Sequence, residues 1–381
     1  MTTTRRLLSE ASGAVADLGI LVPIAGALVL TNGLDPATVL VGVGALYLAA
    51  GLWFRVPVPV QPIKAAAAIA IARGLPVETI AAAGIVLGIV LLTLGTTRLA
   101  GLFTPVFATP VVRGLQCGVG LILIQTALHL GKDSVSQGGY VVAALLAAAL
   151  FLAWKSGRRL PLAFLAVAGG IAYSLATSDA GVTLEVAVWR PQFLPGAFNA
   201  SVLMSAFTLL VIPQIPLTFG NAVVAFTDVE RKYFGDKSRR VTPATASLSC
   251  GVANVVVGSL GGMPMCHGSS GLTAHYRAGA RTKQMNVMIG ATLLTLGMVL
   301  GPVAFQLLAL IPLPVLMGLL AFAGTMHAAL VADQRGYDLV VAVAMGVVGV
   351  ATANLAVALA LGLATYWPVA FASRLALDDA A

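Results

Sequence analysis

"VPVPVQPIKAAAAIAIARG" (residues 56–74) stands in a chain whose other apolar runs are mostly long enough to cross a bilayer. Pro57, Pro59 and Pro62 are followed at once by Lys64. Proline lacks an N–H and disfavours helix in the residue before it, so the stretch reads as extended up to Pro62. The alanine- and isoleucine-rich run after it is shorter than the about 20 residues that span a bilayer. It predicts a short helix starting near Ile63, with Pro62 in its first turn, where a missing N–H costs nothing.

The surroundings set the class. Of 381 residues, 59% are hydrophobic and 9% are charged, against about 25% charged in soluble domains. Such a chain cannot coat a soluble surface, and an all-α polytopic membrane protein is expected. Glu10 and Asp17 interrupt the N-terminal "MTTTRRLLSEASGAVADLG" before any long apolar core, which argues against a cleaved signal peptide. The three cysteines, Cys117, Cys250 and Cys266, form no CxxC, so neither a disulfide framework nor a zinc site is expected. No other metal and no cofactor is called for.

Hydrophobic runs between punctuation give about fourteen segments: 15–32, 38–54, a short one at 63–73, 78–96, 108–128, 139–154, 160–176, 201–226, 242–259, a short one at 268–276, 284–300, 304–329, 337–351 and 353–372. With the N-terminus inside, 17 of the 22 lysines and arginines fall on the cytoplasmic side, and Arg73, Lys132 and Arg190 fall outside. Lys64 and Arg113 stay within or near the membrane. The bias predicts an even number of crossings and both termini in the cytoplasm. It also explains the net charge of +8 as topology, so no nucleic-acid partner is needed. The external loop 177–200 carries a short alternating stretch that suggests a strand, and 227–243 reads as a charged cytoplasmic loop.

The chain carries a weak internal repeat. "PVVRGLQCGVG" (110–120) and "PVLMGLLAFAG" (314–324) agree at five of eleven positions, at an offset of 204. "VPVQP" (58–62) and "MPMCH" (263–267) align Pro59 with Pro264 at an offset of 205. A repeat of that length splits fourteen segments into seven plus seven. Seven is odd, so the second copy runs in the opposite sense, with a short half-helix third in each copy (segments 3 and 10). Interrupted segments at matching places in inverted halves mark the binding site in many transporters.

Helix N-termini expose N–H groups and carry about half a positive charge, so they bind anions. The candidate binding residues are therefore Gln61, Pro62, Ile63 and Lys64 in the first copy. In the second they are Cys266, His267, Gly268, Ser269 and Ser270. Gln214 and Asn221, in an eighth segment broken by Pro213 and Pro216, and Gln116, in the fifth, are neutral polar groups suited to the same cavity. Lys64 supplies a full charge, and a charge inside a membrane segment is functional by default; the bland alternative is a lysine snorkelling to the interface. Asp17 and His267 are the candidates for carrying a coupling proton; Asp17 pairing with Lys64, an interfacial acid and a hydrogen-bonded interior histidine are the alternatives. Arg113 reads as an interfacial anchor.

Together "GAVADLGILVPI", "PVPVQPIKAAAAIA", "TPVVRGLQCGVGL", "LTFGNAVVA" and "GGMPMCHGSSGLTAHYRAGAR" resemble the MOT1-type molybdate transporters, relatives of the sulfate permease superfamily. The resemblance implies the seven-plus-seven inverted-repeat fold. It implies a core domain (10–97 and 201–300) that holds an anion between the short helices, and a gate domain (98–200 and 301–376). The function it implies is secondary active import of molybdate across the cell (inner) membrane. Proton coupling is expected because a dianion must enter a negative interior. Sulfate or tungstate transport on the same fold, a passive anion channel and, less favoured, a nucleobase symporter stay open, as does a homodimer. No HExxH, GxSxG or paired-carboxylate motif is present, so no enzyme is expected.

Overall fold

The computed structural model describes residues 3–97, 108–132, 134–156, 162–177, 186–194 and 198–378. The expected domain boundary at 97/98 and loop residues 178–185 and 195–197 lie outside the described residues. Among the described residues the chain forms fourteen helical segments. The first, α1, comes in two pieces, Thr3–Val15 and Leu18–Asn32, with Asp17 at the break. Next are α2 (Pro36–Phe54), the ten-residue α3 (Lys64–Arg73), α4 (Val77–Thr96), α5 (Thr109–Leu130), α6 (Gln137–Lys155) and α7 (Leu162–Thr177). A long α8 (Ala200–Ser238) is followed by α9 (Pro243–Ser259) and the ten-residue α10 (Ser269–Ala278). The chain continues through α11 (Gln284–Ala309), α12 (Leu313–Ala328), α13 (Gly336–Thr352) and α14 (Leu355–Asp378). Among the described residues, eight helices are long and apolar enough to cross a membrane. This is a polytopic membrane protein.

The quoted stretch is extended, as its prolines require. It ends in β1 (Gln61–Pro62), which pairs antiparallel with β2 (Met265–Cys266), Gln61 opposite Cys266 and Pro62 opposite Met265. Pro62 is therefore in a strand and not in the first turn of α3. The Ile63 N–H donates to the Pro264 carbonyl at 3.1 Å, and Ile63 becomes the N-cap of α3.

Three further expectations are corrected. Pro213 and Pro216 do not break α8. Wide π-helical turns at Ala206–Val211 and Thr218–Ala225 flank them and absorb the lost backbone bonds. The helix also runs on beyond 226, so much of the expected loop 227–243 is helical, through Phe234 and a 3₁₀ turn to Ser238. Finally, 300–304 is a kink and not a gap. Leu300 leaves helical geometry (φ −121°), and α11 continues to Ala309. Proline at 302 has no N–H for the Met298 carbonyl, and the Trp189 N–H takes that carbonyl at 2.8 Å. Ala187 likewise donates to the Val299 carbonyl and forms a bridge with Leu300. The alternating stretch of loop 177–200 thus pairs with a helix kink.

The interior forms where α2 packs on α11, α4 on α9, and α5 on α12 and α13, while α6 packs on α12. Small residues allow these approaches, as membrane helix pairs require. One such approach joins α5 to α12: a methyl on Gly120 would strike the Gly324 carbonyl, and one on Gly324 would strike the Gly120 carbonyl. These glycines occupy the same position in the two repeat sequences quoted above.

Candidate functional site

A buried extended strand needs every remaining N–H and C=O satisfied. Prolines 57, 59 and 62 remove three donors outright. Asn286, fully buried on α11, serves both backbone groups of Val58: its Oδ1 accepts from the N–H at 2.9 Å and its Nδ2 donates to the carbonyl at 2.7 Å. On the other strand Asn254 of α9 does the same for Met265, at 2.7 Å in both directions. The Pro59 carbonyl accepts from His267 Nδ1 at 2.8 Å. With Nδ1 donating, Nε2 of a neutral ring accepts from the Ser249 hydroxyl at 2.9 Å. His267 thus has both nitrogens engaged by protein groups and lies between the rings of Phe54 and Phe226.

Lys64 is buried. Its Nζ donates to Gln61 Oε1 at 2.7 Å, and Gln61 Nε2 donates to Asp17 Oδ1 at 2.6 Å. One carboxamide therefore links a buried ammonium to a buried carboxylate. Asp17 Oδ2 has no hydrogen-bond partner among the described residues and faces His275 Nε2 at 3.9 Å. His275 donates from Nδ1 to the Gly13 carbonyl at 2.7 Å, and Tyr47 Oη lies 3.3 Å from its Nε2. Glycines at the start of α10 make room for this chain of groups. A methyl on Gly268 would overlap Gln61 Oε1, and one on Gly271 would lie 2.6 Å from both Asp17 Oδ2 and Gln61 Nε2.

Beside Lys64 is a cavity of about 30 Å³, lined by Lys64, Ala65, Gln116, Val119, Gln214, Leu217, Asn221, Cys266 and His327. One wall comes from α3, β2 and α8, the other from α5 and α12. The Ala66 N–H donates to Gln214 Oε1 at 3.1 Å, and Gln214 Nε2 donates to Thr218 at 2.8 Å. The N–H groups of Lys64 and Ala65, first in α3, have no acceptor among the described residues. Ser269 donates to Asn221 Oδ1 at 2.6 Å. On the facing wall Arg113 Nη1 donates to Gln116 Oε1 at 2.9 Å while its guanidinium pairs with Asp333.

The fold therefore gathers Lys64, Gln116, Gln214, Asn221 and Cys266 around one cavity. Gln61 and Ser269 stand one hydrogen bond behind it. Pro62, Ile63 and Gly268 shape the backbone there. His267 does not line the cavity, and Ser270 is exposed on α10. Arg113 is tied to Asp333 and Gln116. His327 was not singled out from the sequence, although an ionisable residue inside an apolar segment is a signal in itself.

Comparison with known proteins identifies the family. A family model described as a molybdate transporter of the MFS superfamily matches residues 9–123 and 206–326. Molybdate transporter 2 of Arabidopsis thaliana is 31% identical over 84% of this chain and 77% of its own. Molybdate transporter 1 of the same plant is 30% identical over 84% of this chain and 79% of its own. The transmembrane domain of the cyanobacterial bicarbonate transporter BicA superposes with a TM-score of 0.69 at 17% identity, covering 94% of this chain and 98% of that one. SLC26A9 superposes at 0.67 with 14% identity, over 96% of this chain and 65% of that one. At these identities the two structures speak to the fold, which this chain shares. With a match over more than half of its length and relatives at 30% identity or above, the chain belongs to the molybdate transporter family.

Proposed function

We infer that the chain imports molybdate, a tetrahedral dianion, together with protons, and that the cavity beside Lys64 is its binding site. The observation that carries the reading is the buried Lys64 ammonium next to the free Lys64 and Ala65 N–H groups at the start of α3. That wall presents a full charge, free N–H groups and the partial charge of a helix end to one small volume.

Asp17 is the proposed proton carrier. An ionised Asp17 offsets Lys64 through Gln61 and opposes a dianion; a protonated one leaves the lysine charge to the anion. Anion binding then favours proton uptake, which is the linkage a symporter needs. Moving an uncompensated dianion into a negative interior costs about 4.6 kcal/mol per ~100 mV, so co-entry of protons has a clear energetic role. His267, with both nitrogens bonded, suits a structural role better.

The inverted repeat is supported by two meetings of equivalent positions. Gln61 pairs with Cys266, its counterpart at the offset of 205, and Gly120 meets Gly324, its counterpart at 204. Self-meeting residues are what a pseudo-two-fold axis produces. On this reading 10–97 and 201–300 move as a core against 98–200 and 301–376, with the Leu300 kink at the join. The lysine and arginine bias supports a cell inner-membrane protein with both termini on the cytoplasmic side.

Uptake of labelled molybdate into proteoliposomes, with sulfate and tungstate as competitors, tests the function. Stimulation by an inward proton gradient, and loss of binding in Lys64→Ala, are expected. Uptake insensitive to the gradient points to a passive anion pathway, and no uptake of any of the three anions overturns the assignment.

A further inference from the structure

We propose that His327 is an oxyanion ligand, its imidazole donating a hydrogen bond to the anion from the α12 wall of the cavity, across from Lys64. The inference rests on the cavity being the substrate site and extends it to the facing wall. Three observations support it. His327 lines the same cavity as Lys64. Its Nδ1 is buried without a hydrogen-bond partner among the described residues, and such an orphan is rare in a native interior. The amine and amide side chains on the walls are each tied to the protein: Lys64 to Gln61, Gln116 to Arg113, Gln214 to Ala66 and Thr218, and Asn221 to Ser269.

The ligand chemistry asks for such a group. A tetrahedral oxyanion is all acceptor, with oxygens directed to every side. Lys64 and the α3 N–H groups serve one side only. The cavity is about 30 Å³, so an anion that reaches Lys64 also touches α12. An imidazole there, as tautomer or cation, supplies the missing donor. It joins the α5–α12 wall to the α3–α8 wall only when an anion lies between them, so occupancy and closure become one event.

The test is molybdate binding by calorimetry to the purified full-length chain, comparing the parent with His327→Ala, His327→Gln and Lys64→Ala. His327→Ala is expected to raise Kd by at least about tenfold. His327→Gln, which keeps an N–H donor, is expected to recover part of that loss. Thermal midpoints without anion should match the parent, a result that separates ligation from a packing role. A folded His327 variant lacking a donor, Ala or Leu, that binds within about twofold of the parent while Lys64→Ala loses binding overturns the proposal. If Lys64→Ala also binds like the parent, the cavity is not the site, and the reading on which the proposal rests fails first.

Discussion

Replacing Asp17 by asparagine separates its charge from its hydrogen bond. Gln61 Nε2 can still donate to a side-chain oxygen at position 17, so the chain to Lys64 keeps its shape. What changes is one negative charge. Two hydrogen bonds of 2.7 Å and 2.6 Å and the width of one carboxamide put the carboxylate within about 8 Å of the ammonium. A dianion seated on Lys64 is then about 9 Å from it. At an effective dielectric of about 20, one carboxylate opposes that dianion by about 4 kcal/mol, or between two and three orders of magnitude in affinity. The parent gains this much when a proton neutralises Asp17, and the asparagine variant has it at every pH. Asp17→Asn should therefore bind molybdate at neutral pH at least as tightly as the parent, with little pH dependence. Its uptake into proteoliposomes should no longer rise with an inward proton gradient. A variant that folds, transports and keeps the parent's response to the gradient refutes Asp17 as the coupling group.

Other substitutions probe the supports of the site. Gly271→Ala places a methyl 2.6 Å from Asp17 Oδ2 and Gln61 Nε2, so it should weaken molybdate binding by about tenfold or more, read by calorimetry, with a smaller effect on the melting point. Asn286→Ala strands both backbone groups of Val58 and should cost about 1–3 kcal/mol for each group left unpaired, measured by thermal unfolding of the purified protein. His267→Gln should also lower thermal stability, since it disturbs the bonds to Pro59 and Ser249; uptake per folded molecule should keep its proton dependence, and loss of that dependence alone would return His267 to the coupling role.

The fold was legible because its punctuation is chemical. Proline and glycine announce the short segments, and the lengths of the apolar runs announce the long ones. Misreadings came where a local break was absorbed, by the helix itself or by a tertiary partner. Pro213 and Pro216 look like helix stops until π turns accommodate them. The kink at Leu300 looks like a loop until Trp189, distant in sequence, takes the freed carbonyl. At the site, residues with unusual cost in a membrane, Lys64 and Asp17, could be named from sequence alone. A pairing of the two could be offered as well, but not the bridge between them, because Gln61 joins them by side-chain geometry that no spacing encodes. His327 escaped notice because nothing beside it in sequence is polar; its significance comes from the wall it shares with Lys64.

The pairing of Gln61 with Cys266 has a consequence for the order of assembly. About 200 residues separate the partners, which at about 5–20 residues per second is about 10–40 seconds of synthesis. During that interval the first extended segment has no strand to pair with. Asp17, Gln61 and Lys64, however, all lie within the first 64 residues of the chain. Their hydrogen bonds need nothing from the second half, so the nascent protein can shield its costliest charges before the other strand exists. The groups proposed to move a proton in the finished transporter are, on this account, also what makes its first half tolerable to the bilayer while it waits.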